Sequence, residues 1–216
     1  MNGSQLLTAL TTEHFTLQGA RSQTMSESSA RASLYIISVS STLIALGFIT
    51  QLSGIGDIFN VFALTVLPTL YVLGAVTFVR LVECSAEDFR YGLAINRIRA
   101  YYKEIAGDRA DLFLLSAHDD PPGVLATTAL PPEGRVPFFA FSTAVAVINS
   151  VIGGAAIAVA LGAVADASLG IAAAGGGVVA IISVVAWIEY SDRLFTARAD
   201  EIEPLFPSSS QGRDRD

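Results

Sequence analysis

The chain has 216 residues, 52% of them hydrophobic and 15% charged, with a mean hydropathy of +0.54. That balance excludes an ordinary soluble domain of this length and makes a lipid bilayer the expected solvent. The formal net charge of −7 comes without any dense Lys/Arg patch interleaved with aromatic residues, so nucleic acid is not an expected partner, and the single cysteine, Cys84, excludes an intrachain disulfide.

Residues 1–31 read as an N-terminal helical segment. Leu7, Leu10, His14 and Leu17 fall at helical spacing, and the stripe then fades into the polar, serine-rich stretch RSQTMSESSAR. The first apolar span covers 32–51. It holds Ser38, Ser41 and Thr42 on one face, where hydroxyls either bond the carbonyl one turn back and pack helices, or line an aqueous path. A second span covers 59–79 and contains Pro68. Proline removes the helical donor to the Leu64 carbonyl, so a kink and a possible hinge are expected there.

From Arg80 the chain leaves the second span without a breaker, and a helix is expected to continue to Ala106, where Gly107 ends it. Leu93, Ile98 and Ile105 belong to an apolar stripe, while Arg97, Arg99 and Lys103 lie outside it. Those three basic residues are candidate ligands for anionic lipid headgroups or a small phosphorylated ligand; simple solvation is the blander account. The remainder of 80–137 carries five prolines and reads as a compact loop, with the apolar run from Leu112 to Leu115 packing on the helices or dipping into the membrane interface. His118, Asp119 and Asp120 are the one grouping in this loop reminiscent of metal chemistry. A turn-forming Asp pair before Pro121 explains them better, since His14 is the sole other histidine.

Spans three and four cover 138–161 and 170–188. Gly154, Ala158 and Gly162 repeat every four residues on one, and Ala172, Gly176 and Ala180 on the other, which predicts a closely packed antiparallel hairpin. Ser142 and Asn149 add a polar stripe, and Asn149, the one amide within any span's interior, is expected to bond across helices. Trp187 and Tyr190 suit an aromatic belt. The tail 189–216 ends in a polar stretch from Ser208 onward, SSSQGRDRD, expected to be disordered.

None of the spans contains Asp, Glu, Lys or Arg, each of which raises the free energy of insertion by about 2.5 to 3.5 kcal/mol at mid-bilayer. The expected fold class is therefore an all-α membrane protein with four transmembrane helices and helical cytoplasmic extensions of spans one and two. All 13 Lys and Arg residues lie outside the connections 52–58 and 162–169. The positive-inside rule then places both termini and the segment 80–137 in the cytoplasm.

No phosphate-binding loop, nucleophile elbow, dinucleotide fingerprint or zincin motif occurs. No catalytic, cofactor or metal residues are assigned, and an enzyme is not expected. The phrases RLVECSAEDFRYGLAINRIRAYY and FLLSAHDDPPGVLA resemble a group of uncharacterised bacterial, actinobacterial-type membrane proteins with four spans. That resemblance implies no activity. The function expected is a non-enzymatic protein of the inner (plasma) membrane, self-associating as a homo-oligomer and forming a pore or membrane effector governed by its cytoplasmic helices. The alternative is a scaffold or accessory subunit without a pore.

Overall fold

The structure, a computed structural model, describes residues 2–127, 140–199 and 202–208. In chain order it contains α1 (Gly3–Ser53), α2 (Asp57–Ala106), a 3₁₀ helix (Gly107–Leu112), α3 (Pro121–Thr127), α4 (Ala140–Val164) and α5 (Leu169–Ala199). No strand occurs among the described residues. Four of the helices are long and apolar enough to cross a membrane, as in a multi-pass membrane protein.

The N-terminal segment and the first apolar span form one helix of 51 residues. It starts on a reciprocal cap, in which the Gln5 N–H donates to Asn2 Oδ1 (2.9 Å) and the Asn2 N–H donates to Gln5 Oε1 (3.0 Å). The apolar stripe that fades after Leu17 is replaced by a small-residue one: Thr24, Ser28, Ala32, Tyr35 and Val39 are all buried, at spacings of three and four. With no glycine or proline between Gly19 and Gly47, nothing in the serine-rich stretch breaks the helix.

Helix α2 likewise runs through Pro68 for 50 residues. Thr65 and Thr69 donate to the Val61 and Thr65 carbonyls, both at 2.8 Å, so neither hydroxyl replaces the lost donor at Leu64. Gly107 ends α2 with φ +53°, a conformation that only glycine adopts without strain. At the end of α4 the same work is done by Asp166, at φ 49°. The Ala167 N–H then donates six residues back to Leu161 (3.1 Å), which closes the helix end. Asp166 is exposed and at the same time closes the end of α4.

The chain divides into two compact units. One comprises Met1–Glu27, Glu83–Phe139 and Leu194–Asp216. Its core is the buried cluster Phe89, Leu93 and Val124, with Phe195 and Ile202 packed against it. The predicted stripe on α2 is buried at Leu93 and Ile98, but Ile105 is 55% exposed. Leu112 and Leu114 are 81% and 95% exposed, while Phe113 between them is half-buried with its ring centroid 6.5 Å from that of Tyr102 on α2.

The other unit comprises Ser28–Val82 and Ala140–Arg193. Here α4 is the most covered of the four apolar helices, with 44% of its apolar window buried against 11% for α5. Phe78 of α2 stacks on Trp187 of α5, ring centroids 4.8 Å apart, which gives Trp187 a packing partner inside the unit. Phe138, Phe139, Pro131, Pro132, Pro137 and the tail beyond Ser208 lie outside the described residues.

Candidate functional site

Two polar constellations stand out, one in each unit. In the unit built on Phe89 and Val124, the loop before α3 turns His118, Asp119 and Asp120 against the segment 203–208. Asp119 and Asp120 are 1% and 0% exposed. Asp119 accepts from Arg97 Nε (2.6 Å) and from the N–H groups of Leu205 (3.0 Å) and Phe206 (2.6 Å). Its own N–H donates to the Phe206 carbonyl at 3.2 Å. Burial pushes the Asp119 carboxyl up, but the two N–H groups and the Arg97 guanidinium together outweigh it and hold the pKa below its ordinary 3.8.

Asp120 serves two masters. Its Oδ1 accepts the Gly123 N–H at 2.8 Å, capping the first turn of α3. Its Oδ2 accepts both the N–H and the hydroxyl of Ser208, the latter at 2.6 Å. The Asp pair is therefore the turn and cap expected of it, and it is also an anchor for the C-terminal segment, which the sequence does not foretell. Ser208, the first residue of the stretch expected to be disordered, is fixed in place; 209–216 lie outside the described residues.

Neighbouring side chains brace this loop. Asn96, 1% exposed, donates to the His118 carbonyl at 2.9 Å and accepts from Arg99, which also donates to the Ser116 carbonyl; both Arg99 bonds are 2.7 Å. Arg97 donates a second bond to the Glu203 carbonyl at 2.7 Å. Two of the three basic residues considered for headgroup binding, Arg97 and Arg99, thus hold internal acceptors. Lys103 sits in the last turn of α2, where a cation offsets the helix dipole. Among the described residues no group of three or more His, Cys, Asp or Glu side chains is placed to hold a metal ion.

The N-terminal part of α1 pairs with α2 in the same unit through Arg21, bidentate to Asp88 at 2.7 and 3.0 Å. His14 lies 5.8 Å from the Tyr102 ring. Its Nε2 is 2.8 Å from Gln18 Nε2, and its Nδ1 is buried without a partner. Burial, then the Arg99 charge, hold its pKa below the usual 6.5.

The second constellation is neutral. Tyr35 of α1 donates its hydroxyl to Asn149 Oδ1 of α4 at 3.0 Å, with both side chains buried. Gly74 of α2 leaves the space they use: a Cβ there would overlap the Asn149 amide and lie 2.7 Å from the Tyr35 hydroxyl. The amide of Asn149 has no partner at Nδ2. The next residue of α4, Ser150, donates to Ser183 of α5 (3.1 Å), and Tyr71 of α2 meets the same Ser183 hydroxyl at 3.2 Å.

The residues considered for a pore or for helix packing divide accordingly. Ser142 is buried, Thr42 half-buried and Ser41 exposed. Ser38 donates back to the Leu34 carbonyl at 2.9 Å. Gly154 and Gly176 face each other, since a Cβ on Gly154 would reach 2.5 Å from the Gly176 carbonyl and one on Gly176 would reach 3.0 Å from Ala158. Gly162 has nothing around it. Sequence reading passed over Tyr35, Tyr71, Gly74 and Ser183. The two tyrosines are phenols inside apolar helices, and a phenol at that depth needs a partner. No family model, no curated protein and no solved structure matches the chain.

Proposed function

We propose that the chain is a non-enzymatic scaffold or accessory subunit of the plasma membrane, with its termini and the segment 80–137 in the cytoplasm. The observation that carries this reading is the pairing of the Asn149 amide oxygen and of the Ser150 and Ser183 hydroxyls inside one chain. Asn149 is bonded to Tyr35 and Ser150 to Ser183, and all but the last are 1% exposed or less, Ser183 being 9% exposed. Groups held in this way do not line a water-filled axis. The orientation rests on the 13 basic residues, all of them outside 52–58 and 162–169.

The self-associating pore is a second reading, and exposed Ser41 on α1 is what favours it. Planar-bilayer recording on the purified chain, together with its mass in detergent, separates the two. The scaffold reading expects no unitary conductance. A conductance that changes when Ser41→Val is introduced overturns it. Cysteines introduced at Ser53 and Asp166 in a Cys84→Ser background are expected to react with impermeant maleimide from the outside of intact cells only, which tests the orientation.

A further inference from the structure

The segment 203–208 is held in an unusual way. Its apolar side chains do not anchor it, since Leu205 is 64% and Phe206 36% exposed. Its backbone and one hydroxyl do. The stretch reads Pro204-Leu205-Phe206-Pro207-Ser208, and every backbone N–H it possesses, at Leu205, Phe206 and Ser208, donates to a buried carboxylate. The prolines fall at the two positions with no donor to satisfy and their rings fix φ there before the segment binds, while the chain bends at Leu205 and Phe206 so that two successive N–H groups reach one carboxylate. Such a segment forfeits little conformational entropy on docking.

The receiving side is organised by bonds that do not involve this segment. Asn96 holds the His118 carbonyl, Gly123 holds Asp120, and Arg97 is paired with Asp119. Two adjacent buried carboxylates without donors facing them would be costly, so the loop is shaped to receive N–H groups. This is the arrangement of a peptide and its receptor, joined by a tether.

We propose that Arg97, Asp119 and Asp120 form a receptor for a bent Pro-x-x-Pro-Ser peptide, that residues 204–208 are its tethered ligand, and that a second protein chain carrying the same motif can take their place. Recognition lies in the pattern of N–H groups set by the prolines and in the terminal hydroxyl, which reaches Asp120. The two middle side chains, being exposed, are free to vary. Displacement of the tether exposes Leu205 and Phe206 further and frees the tail.

The test uses the full-length chain in lipid nanodiscs and a fluorescein-labelled, acetylated hexapeptide, Glu-Pro-Leu-Phe-Pro-Ser-amide. A short tether competes at millimolar effective concentration, so the wild-type chain is expected to bind the probe weakly. Full-length Ser208→Pro removes both bonds from the tether to Asp120 and leaves the receptor intact. Probe binding is expected to tighten at least tenfold. On that variant, a peptide N-methylated at its phenylalanine, or one with alanine for serine, is expected to bind at least tenfold more weakly than the parent. If the Ser208→Pro chain does not fold, Ser208→Ala makes the same comparison with a gain of about threefold. The proposal is overturned if a folded tether variant binds no tighter than wild type, or if the N-methylated peptide binds as well as its parent.

Discussion

The two units solve the problem of buried polar groups in opposite ways. In the unit containing Asn149, the buried contacts of Tyr35 with Asn149 and of Ser150 with Ser183 are neutral and made between side chains of different helices. In the unit containing Asp119, they are charged, and most run from a side chain to backbone. The difference follows from the expected surroundings. A helix in lipid satisfies its own backbone, so side chains have only each other to bond, and a full charge there is costly. A loop and an irregular segment in water leave backbone N–H groups over, and carboxylates can take them up.

That contrast can be broken at chosen points. The largest effect is expected from Gly74→Leu, whose side chain must occupy the space of Asn149 and the Tyr35 hydroxyl. A loss of about 3 kcal/mol is expected in thermal unfolding in detergent, and an unchanged melting curve would mean that these helices do not meet. Asp119→Ala comes next. It leaves Arg97 and two backbone N–H groups without their acceptor, at a cost of about 2 kcal/mol. Hydrogen exchange should show the amides of Leu205 and Phe206 losing protection, with those of α4 unaffected.

Tyr71→Phe removes a neutral hydroxyl contact to Ser183 and is expected to cost about 0.6 kcal/mol, read as a small shift in melting temperature. The charged unit should also answer to pH where the neutral one does not. The Asp119 pKa is held below 3.8, so its contribution is complete above that value and is lost as pH falls through the folded pKa. Protection factors at Leu205 and Phe206 should stay level from pH 7 to pH 5 and fall only in stronger acid. His14 has the smallest effect and the opposite chemistry. Its pKa is held below 6.5, so protonation favours the detached state, and the packing of α1 on Tyr102 weakens as pH drops below 6.5. His14→Gln should remove that dependence from the tyrosine ring NMR signal that Tyr102→Phe identifies as belonging to Tyr102.

Much of the helical framework was legible from residues alone. The apolar runs, Gly107 and the small-residue repeats on spans three and four are local signals, because each follows from helix period, backbone freedom or side-chain size. The length of α1 was less legible. Its buried face continues through Thr24 and Ser28, and hydroxyl residues raise no hydrophobic signal even where their small size makes them good packing residues. The sites were the least legible, for a different reason. Arg97 and Asp119 lie 22 positions apart, and Asp119 and Phe206 lie 87 apart, so neither pairing leaves a periodic trace.

What the sequence determined by itself is which four stretches are apolar enough to cross a lipid bilayer and which connections carry no Lys or Arg. Those properties are sums over neighbouring residues, and hydrophobic transfer depends on little else. Tertiary structure alone decided that Asp119 and Asp120 receive the tail, that Arg97 and Arg99 face inward acceptors, and that Asn149 meets Tyr35 over Gly74. A hydrogen bond reaches about 3 Å, and only the packed chain brings residues so distant in sequence within that reach.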